Sequence, residues 1–183
     1  LMNTTPDFNA AKAHVMNLLQ TRMPGLPYHN IRHVMDVRDS AMKIADTENI
    51  SDEEKRIVEL AALLHDIGFV EGAKDHEATS ARMAREILPA FGYQKQVVDS
   101  ICGMILATKL PQSPATALEK ILCDADLDYL GRDDFYEIGQ TLREELLNAG
   151  VIESEREWNL VQRTFLESHR YHTPYGKTNR RSE

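Results

Sequence analysis

The sequence predicts an all-α fold, formed as one domain over residues 1–183. Three observations carry that expectation. Apolar residues recur at the helical period in nearly every segment. The stretches between those segments are short and rich in Gly, Pro and capping residues. No alternating strand pattern, internal repeat or low-complexity linker divides the chain, and 183 residues are ample for one hydrophobic core.

In chain order, Thr5-Pro6-Asp7 reads as a start signal: a candidate N-cap, a proline in the first turn, and an acid near the positive end of the helix dipole. The helix it opens carries Val15, Leu18 and Leu19 and stops before Pro24-Gly25. After a loop through Tyr28 and His29, Asn30 is the expected N-cap of a helix with Val34, Val37, Ala41, Ile44 and Ala45 on one face. Ser51-Asp52-Glu53-Glu54 fits a capping box. The helix it opens has an apolar stripe, Ile57, Leu60, Ala61, Leu64 and Ile67, with His65-Asp66 at its end, and Gly68 and Gly72 are expected to break it.

Asp75 is expected to cap a helix from His76 to Phe91, closed by Gly92. Val97, Val98, Ile101, Met104 and Ile105 mark the next, which closes in Leu110-Pro111-Gln112-Ser113-Pro114. Three more are expected: Leu118 to Leu130 with Gly131 as C-cap, Asp133 through Leu147 ended by Gly150, and Glu153 to His169. The tail from Tyr171 to Glu183 is polar, basic at its end, and has no assigned element.

Composition narrows the function classes. Hydrophobic residues make up 42% and charged residues 27%, as in an ordinary globular protein. A formal net charge of -8 argues against duplex nucleic acid as a partner, because such binding rests on neutralising phosphates. It leaves room for a small phosphorylated ligand held by a local positive site. Cys102 and Cys123 have no C-x-x-C spacing and lie in apolar runs, so free buried thiols in a reducing compartment are expected. No apolar run approaches the ~20 residues needed to span a bilayer, and no membrane association is expected. Leu1-Met2-Asn3-Thr4-Thr5 lacks the basic and apolar regions of a signal peptide; Leu1 ahead of Met2 fits an expression remnant, and the expected location is the cytoplasm. An oligomer is compatible with the sequence.

Three elements carry chemistry: Tyr28-His29-Asn30-Ile31-Arg32-His33-Val34, where a loop enters a helix with two histidines four apart; His65-Asp66; and Asp124-Ala125-Asp126-Leu127-Asp128, an acidic triplet expected inside a helix. Each alone has an ordinary explanation: a satisfied core histidine, a hydrogen-bonded pair at a helix end, a solvated acidic face. Yet a buried His-Asp pair is costly unless paired or bound to a metal. Helix positions two apart point in different directions, so at least one carboxylate of the triplet should face inward. Two imidazoles and two carboxylates suit a borderline or hard divalent ion.

These residues resemble the HD superfamily of metal-dependent phosphohydrolases. The family pattern of a histidine, a His-Asp pair and a distant aspartate falls on His33, His65-Asp66 and Asp126, the last in an Asp-Ala-Asp context. The resemblance covers residues 28–131 and leaves C-terminal helices and tail over 132–183. It implies a compact HD-type helical domain binding a divalent metal ion, with Mg, Mn, Fe, Co, Ni and Zn all open. Two-metal relatives add histidines between the His-Asp pair and the last aspartate; here only His76 lies there, which favours one ion per chain.

A narrower resemblance joins residues 28–37 to the motif that opens class I cyclic-nucleotide phosphodiesterases. It implies that His29 is a general acid, a role within reach of histidine's ordinary pKa of ~6.5. The chain then departs: where those enzymes have a further histidine it reads Ile67-Gly68-Phe69, so cyclic-nucleotide specificity is not carried over. His76, beside Glu77, is a candidate acid, phosphate ligand or incomplete second-metal ligand, against an ordinary place in a first helical turn. Arg32 and Lys109 are candidates to meet substrate phosphate, against ordinary surface charge. His169 and His172 lie in a tail aromatic and basic enough to cover a pocket or simply to pack on the surface.

The implied activity is metal-assisted hydrolysis of a small phosphorylated substrate, a nucleotide among the candidates, with Asp66 or Asp126 orienting the nucleophile. The alternatives are a metal-binding regulatory module with little turnover and a di-iron oxygenase, the latter disfavoured by the shortage of histidines.

Overall fold

In the computed structural model, which describes residues 4–180, the segment around Leu60 becomes the central helix. The predicted capping box forms: Ser51 Oγ accepts from the Glu54 amide at 3.1 Å, and Glu54 Oε2 accepts from the Ser51 amide at 2.8 Å. The helix runs Asp52–Leu64 and is buried at every residue from Val58 to Leu64, all round and not only along the predicted stripe. A helix of that kind must be enclosed. Five others pack on it: α1 (Phe8–Arg22), α2 (Ile31–Thr47), α4 (His76–Ile87), α5 (Lys95–Ala107) and α6 (Ala117–Asp126), the central helix being α3. Full burial of a leucine contributes roughly 1.5–3 kcal/mol, and Leu60, Leu63 and Leu64 are all fully buried. Glu59, the charged exception, accepts from Lys12 Nζ at 2.6 Å and from Arg38 Nε at 3.0 Å.

The described residues form nine α-helices and no strand; α7 (Phe135–Asn148), α8 (Glu155–Ser168) and α9 (Pro174–Asn179) complete the set. The main apolar cluster draws on α1 to α6. A smaller one gathers Tyr28, Leu127 and Tyr129 with Phe135, Ile138, Leu142 and Phe165. Cys102 and Cys123 are buried and free. No helix of the described residues is long and apolar enough to cross a membrane. The signal-peptide and expression-remnant expectations rest largely on Leu1–Asn3, outside the described residues, as does the basic end of the tail at Arg181.

Several boundaries shift. The first N-cap is Asp7, accepting from the Ala10 amide, and not Thr5. Asp75 holds the N-cap position of α4, but with φ 51° its side chain caps nothing and pairs with Lys109 instead. The N-cap position of the helix expected from Asp133 is Asp134, again without a side-chain cap bond. The helix expected over Leu118–Leu130 stops at Asp126; a 3₁₀ turn, Asp128–Gly131, follows, so the acidic triplet straddles a helix end. Its start carries a capping box that the sequence reading missed, Thr116 with Glu119. The tail contains α9, capped by Thr173.

The break after α3 matters most. The α-helix ends at Leu64, ahead of His65-Asp66, and the chain turns into a 3₁₀ segment, Ile67–Val70. Gly68 is not the breaker. A Cβ there would lie 2.2 Å from the His76 carbonyl oxygen and 2.9 Å from the Ser80 amide nitrogen. Its missing side chain lets the turn lie directly on the start of α4, which brings His76 to Asp66.

Candidate metal centre

His33 lies on the buried face of α2 with Val37, Ser40 and Ile44, four residues of one helical stripe. Asn30 starts that helix, its Oδ1 accepting from the His33 amide at 3.2 Å. His65 follows the last residue of α3 and is completely buried. Its Nδ1 lies 2.6 Å from the Ala62 carbonyl oxygen; only a protonated Nδ1 can make that contact, so in the neutral ring Nε2 is the atom with the lone pair. Asp126 is the last residue of α6.

These side chains converge. His33 Nε2 is 3.3 Å from Asp66 Oδ2 and 3.3 Å from Asp126 Oδ1. His65 Nε2 is 3.2 Å from Asp66 Oδ2 and 3.3 Å from Asp126 Oδ1. Ligand atoms of His33, His65 and Asp66 lie within 4.8 Å of one another, and Asp126 joins them through its contacts to both rings. The distances are within ion-pair reach, yet His65 Nε2 and Asp66 Oδ2 are buried without a hydrogen-bond partner. A buried polar atom without a partner is costly. Two facing each other across a cluster of imidazole nitrogens and carboxylate oxygens fit a divalent ion that both would bind.

The electrostatics agree. Burial pulls the His33 ring down, but its close contacts with the Asp126 and Asp66 carboxylates outweigh it and raise the pKa to about 9. His65 is likewise raised well above its ordinary range: burial lowers it, and the charge of Asp66 prevails. Burial would raise Asp66 and Asp126, but the imidazoles hold both below the usual carboxylate range. Without an ion the carboxylates hold protons on the rings; an ion would take the place of that positive charge.

The open side is marked by the partly exposed side chains of Asp126, His76 and His29, at 18%, 19% and 21%. His76 Nε2 lies 3.3 Å from Asp66 Oδ1 and 3.3 Å from Glu77 Oε1. The His29 and His76 rings each pack on Phe69 with centroids 4.3 Å away, and Tyr28 packs on His33 at 4.4 Å. His29 Nδ1 meets Glu145 Oε2 at 2.5 Å, while Glu145 Oε1 accepts from the amides of Tyr28 and His29. Burial would raise Glu145, but the His29 hydrogen bond holds it below its ordinary value.

The structure thus brings His29, His33, His65, Asp66, His76 and Asp126 together. Lys109 is exposed and lies 3.5 Å from Asp75, one residue before His76. Arg32 is exposed on the first turn of α2. Among the described residues no Lys or Arg pairs with the four converging side chains. Glu145 was not predicted: it lies 116 residues from His29, on a helix that otherwise reads as a solvated acidic face. A groove of about 910 Å³ between Thr4–Asn9, Glu53–Ile57 and Gly92–Val97 holds none of these residues.

The HD domain family model matches residues 30–128, more than half of the chain. A solved structure described as a "predicted HD superfamily hydrolase", from an uncultured Thermotogales bacterium, is similar with a TM-score of 0.60 and 24% identity, over 86% of this chain and 92% of that one. At that identity the likeness speaks for the fold. No curated protein matches the sequence significantly. With its helical fold and its histidines and aspartates in the family's order, the chain belongs to the HD domain family, generally metal-dependent hydrolases.

Proposed function

We propose that this protein hydrolyses a small phosphoester, a nucleotide among the candidates, using one divalent ion held by His33, His65, Asp66 and Asp126. The observation that carries the reading is the pair of buried, unpartnered atoms, His65 Nε2 and Asp66 Oδ2, beside a partly open side bearing two further imidazoles. An ion held there supplies Lewis acidity toward a phosphoryl oxygen and lowers the pKa of water.

The chain's own groups do the rest. Ala62 fixes the His65 tautomer. Asp66 divides its two oxygens: Oδ2 turns to the ligand cluster, while Oδ1 holds the His76 ring at the open side. Glu145 accepts from the Nδ1–H of His29, so that when the ring is the imidazolium its second proton, on Nε2, is the one given to the leaving oxygen. Phe69, packed on both rings, limits water beside them. Arg32 and Lys109 complete the reading as cations meeting substrate charge outside the ligand set.

The test is purified protein assayed with added Mn²⁺, Co²⁺, Ni²⁺, Zn²⁺ and Mg²⁺ against phosphomonoesters, nucleotides and cyclic nucleotides. Metal-dependent release of phosphate from at least one monoester is expected. A tightly held ion with no turnover across the panel would replace this reading with a regulatory metal-binding module. Two irons with oxygen uptake would replace it with an oxygenase.

A further inference from the structure

The two carboxylates flanking Asp126 do not face the ligand cluster; they hold the C-terminal segment. Asp124 is buried, and among the described residues no Lys or Arg pairs with it. Its Oδ1 accepts from the His172 amide at 2.8 Å, and its Oδ2 from the Thr173 amide at 2.8 Å and from Thr173 Oγ1 at 2.7 Å. Asp128, also buried, accepts from Arg180 Nε at 2.7 Å and from Ser40 Oγ at 3.0 Å. Between them the Tyr171 hydroxyl donates to the Leu127 carbonyl at 2.9 Å. On the other side, Gln112 Nε2 donates to the Cys123 carbonyl at 2.9 Å, and its Oε1 lies 3.1 Å from His172 Nε2. Residues 123, 124, 127 and 128 are thus all tied, directly or through Gln112, to the segment from Tyr171 to Arg180.

That segment is fitted closely. A Cβ on Gly176 would lie 2.6 Å from Asp124 Oδ2 and 2.8 Å from the Tyr171 Cβ. Thr173 Oγ1 serves both sides, donating to Asp124 and accepting from the Gly176 amide at 3.0 Å. The tie matters because Asp126 sits where α6 ends and the chain turns, with Leu127 at φ -114° and ψ 18°. The α-helical ladder gives way there to the 3₁₀ turn Asp128–Gly131, so Asp126 sits at a junction and not within a continuous helix.

We infer that the C-terminal segment 171–180 is a strap that positions Asp126 as the fourth metal ligand, with Thr173 and Arg180 as positioning residues acting through Asp124 and Asp128. The inference rests on the metal-site reading above and adds to it the residues that set its fourth ligand. Groups that orient ligands from behind typically change metal affinity by about 10–100-fold when removed.

The test titrates the metal-stripped full chain with Co²⁺, reading both Kd and the visible ligand-field spectrum, which reports coordination number. Thr173→Val and Arg180→Met should each raise Kd by about tenfold and move the spectrum toward that of Asp126→Ala. In the Asp126→Ala background the same substitutions should change Kd by less than about twofold, because the ligand they act through is gone. Thr173→Ser, which keeps the hydroxyl, should restore the wild-type Kd and serves as the readout if Thr173→Val fails to fold. Equal fold-changes in both backgrounds, or no change in the wild-type background, would overturn the strap while leaving the site intact. Failure of the unsubstituted chain to bind Co²⁺ would overturn the metal reading and the strap with it.

Discussion

The two ends of this molecule are held by different forces. From α1 to α6 the helices share an apolar cluster in which Leu60, Leu63, Leu64, Ile101 and Ile105 are fully buried. From α7 to α9 the apolar contacts are few, and Tyr136, Val151, Leu160 and Val161 are exposed. That half is anchored by carboxylates: Glu145 to the His29 loop, Asp124 to Thr173, and Asp128 to Arg180. The family match, residues 30–128, covers α2 to α6 and ends just past them. The proposed site divides along the same line: its four candidate ligands come from the first half, and the contacts proposed to aim His29 and Asp126 come from the second. Apolar burial is non-directional and tolerant, whereas a charge-assisted hydrogen bond fixes a direction.

Removing a ligand of the apolar half should have the largest effect. His65→Ala or Asp66→Ala is expected to abolish metal retention and, with it, hydrolysis, measured by metal analysis of the purified protein beside turnover. Full metal occupancy in either variant would remove that residue from the ligand set.

Next comes the contact across the two halves. His29→Ala should lower turnover by roughly 10²–10⁴-fold with metal content near wild type. The loss should be smaller on a nitrophenyl ester, whose leaving group needs little protonation. Glu145→Gln should reduce turnover in the same pattern to a smaller extent, since it loosens the ring without removing it. Equal losses on good and poor leaving groups, or metal lost from His29→Ala, would leave His29 a structural residue.

The contrast in packing predicts a smaller, thermodynamic difference. Leu60→Ala in the main cluster should cost roughly 2–5 kcal/mol, whereas Leu160→Ala, at an exposed position on α8, should stay within about 0.5 kcal/mol. Urea denaturation of the metal-free chain measures both. Similar costs at the two positions would mean that α8 is covered in solution.

The gentlest probe is pH. In the metal-free chain the raised His33 pKa contributes stability that is complete below its ordinary value of 6.5 and is lost as pH rises through about 9. The melting temperature should therefore fall across that window. The rise on adding an ion should grow across the same window, because the ion needs the ring unprotonated. The lowered pKa of Glu145 acts oppositely: its contribution is present above its ordinary 4.5 and fades as pH falls below that. Alkali should thus loosen the ligand set first, and acid the C-terminal clamp. A melting temperature flat from pH 6.5 to 9 in the metal-free chain would contradict the imidazole–carboxylate pairing described here.

The resemblance to the HD family named the candidate set His33, His65, Asp66 and Asp126; the sequence by itself determined the helical class, the Asn30 and Ser51 caps and the inward face of α2. These are local matters: a cap needs only residues three apart, and a buried face only the helical period. Only the tertiary structure decided where the helices stop around that set. Both His65 and Asp126 lie at helix ends beside distant parts of the chain: α4 approaches over Gly68 next to the first, and the segment from Tyr171 to Arg180 bonds to Leu127 and Asp128 next to the second. Glu145 and Thr173 reach residues 116 and 49 positions away. Nothing in the spacing of a single helix records such a partner, because direction across the fold is set by packing and not by period.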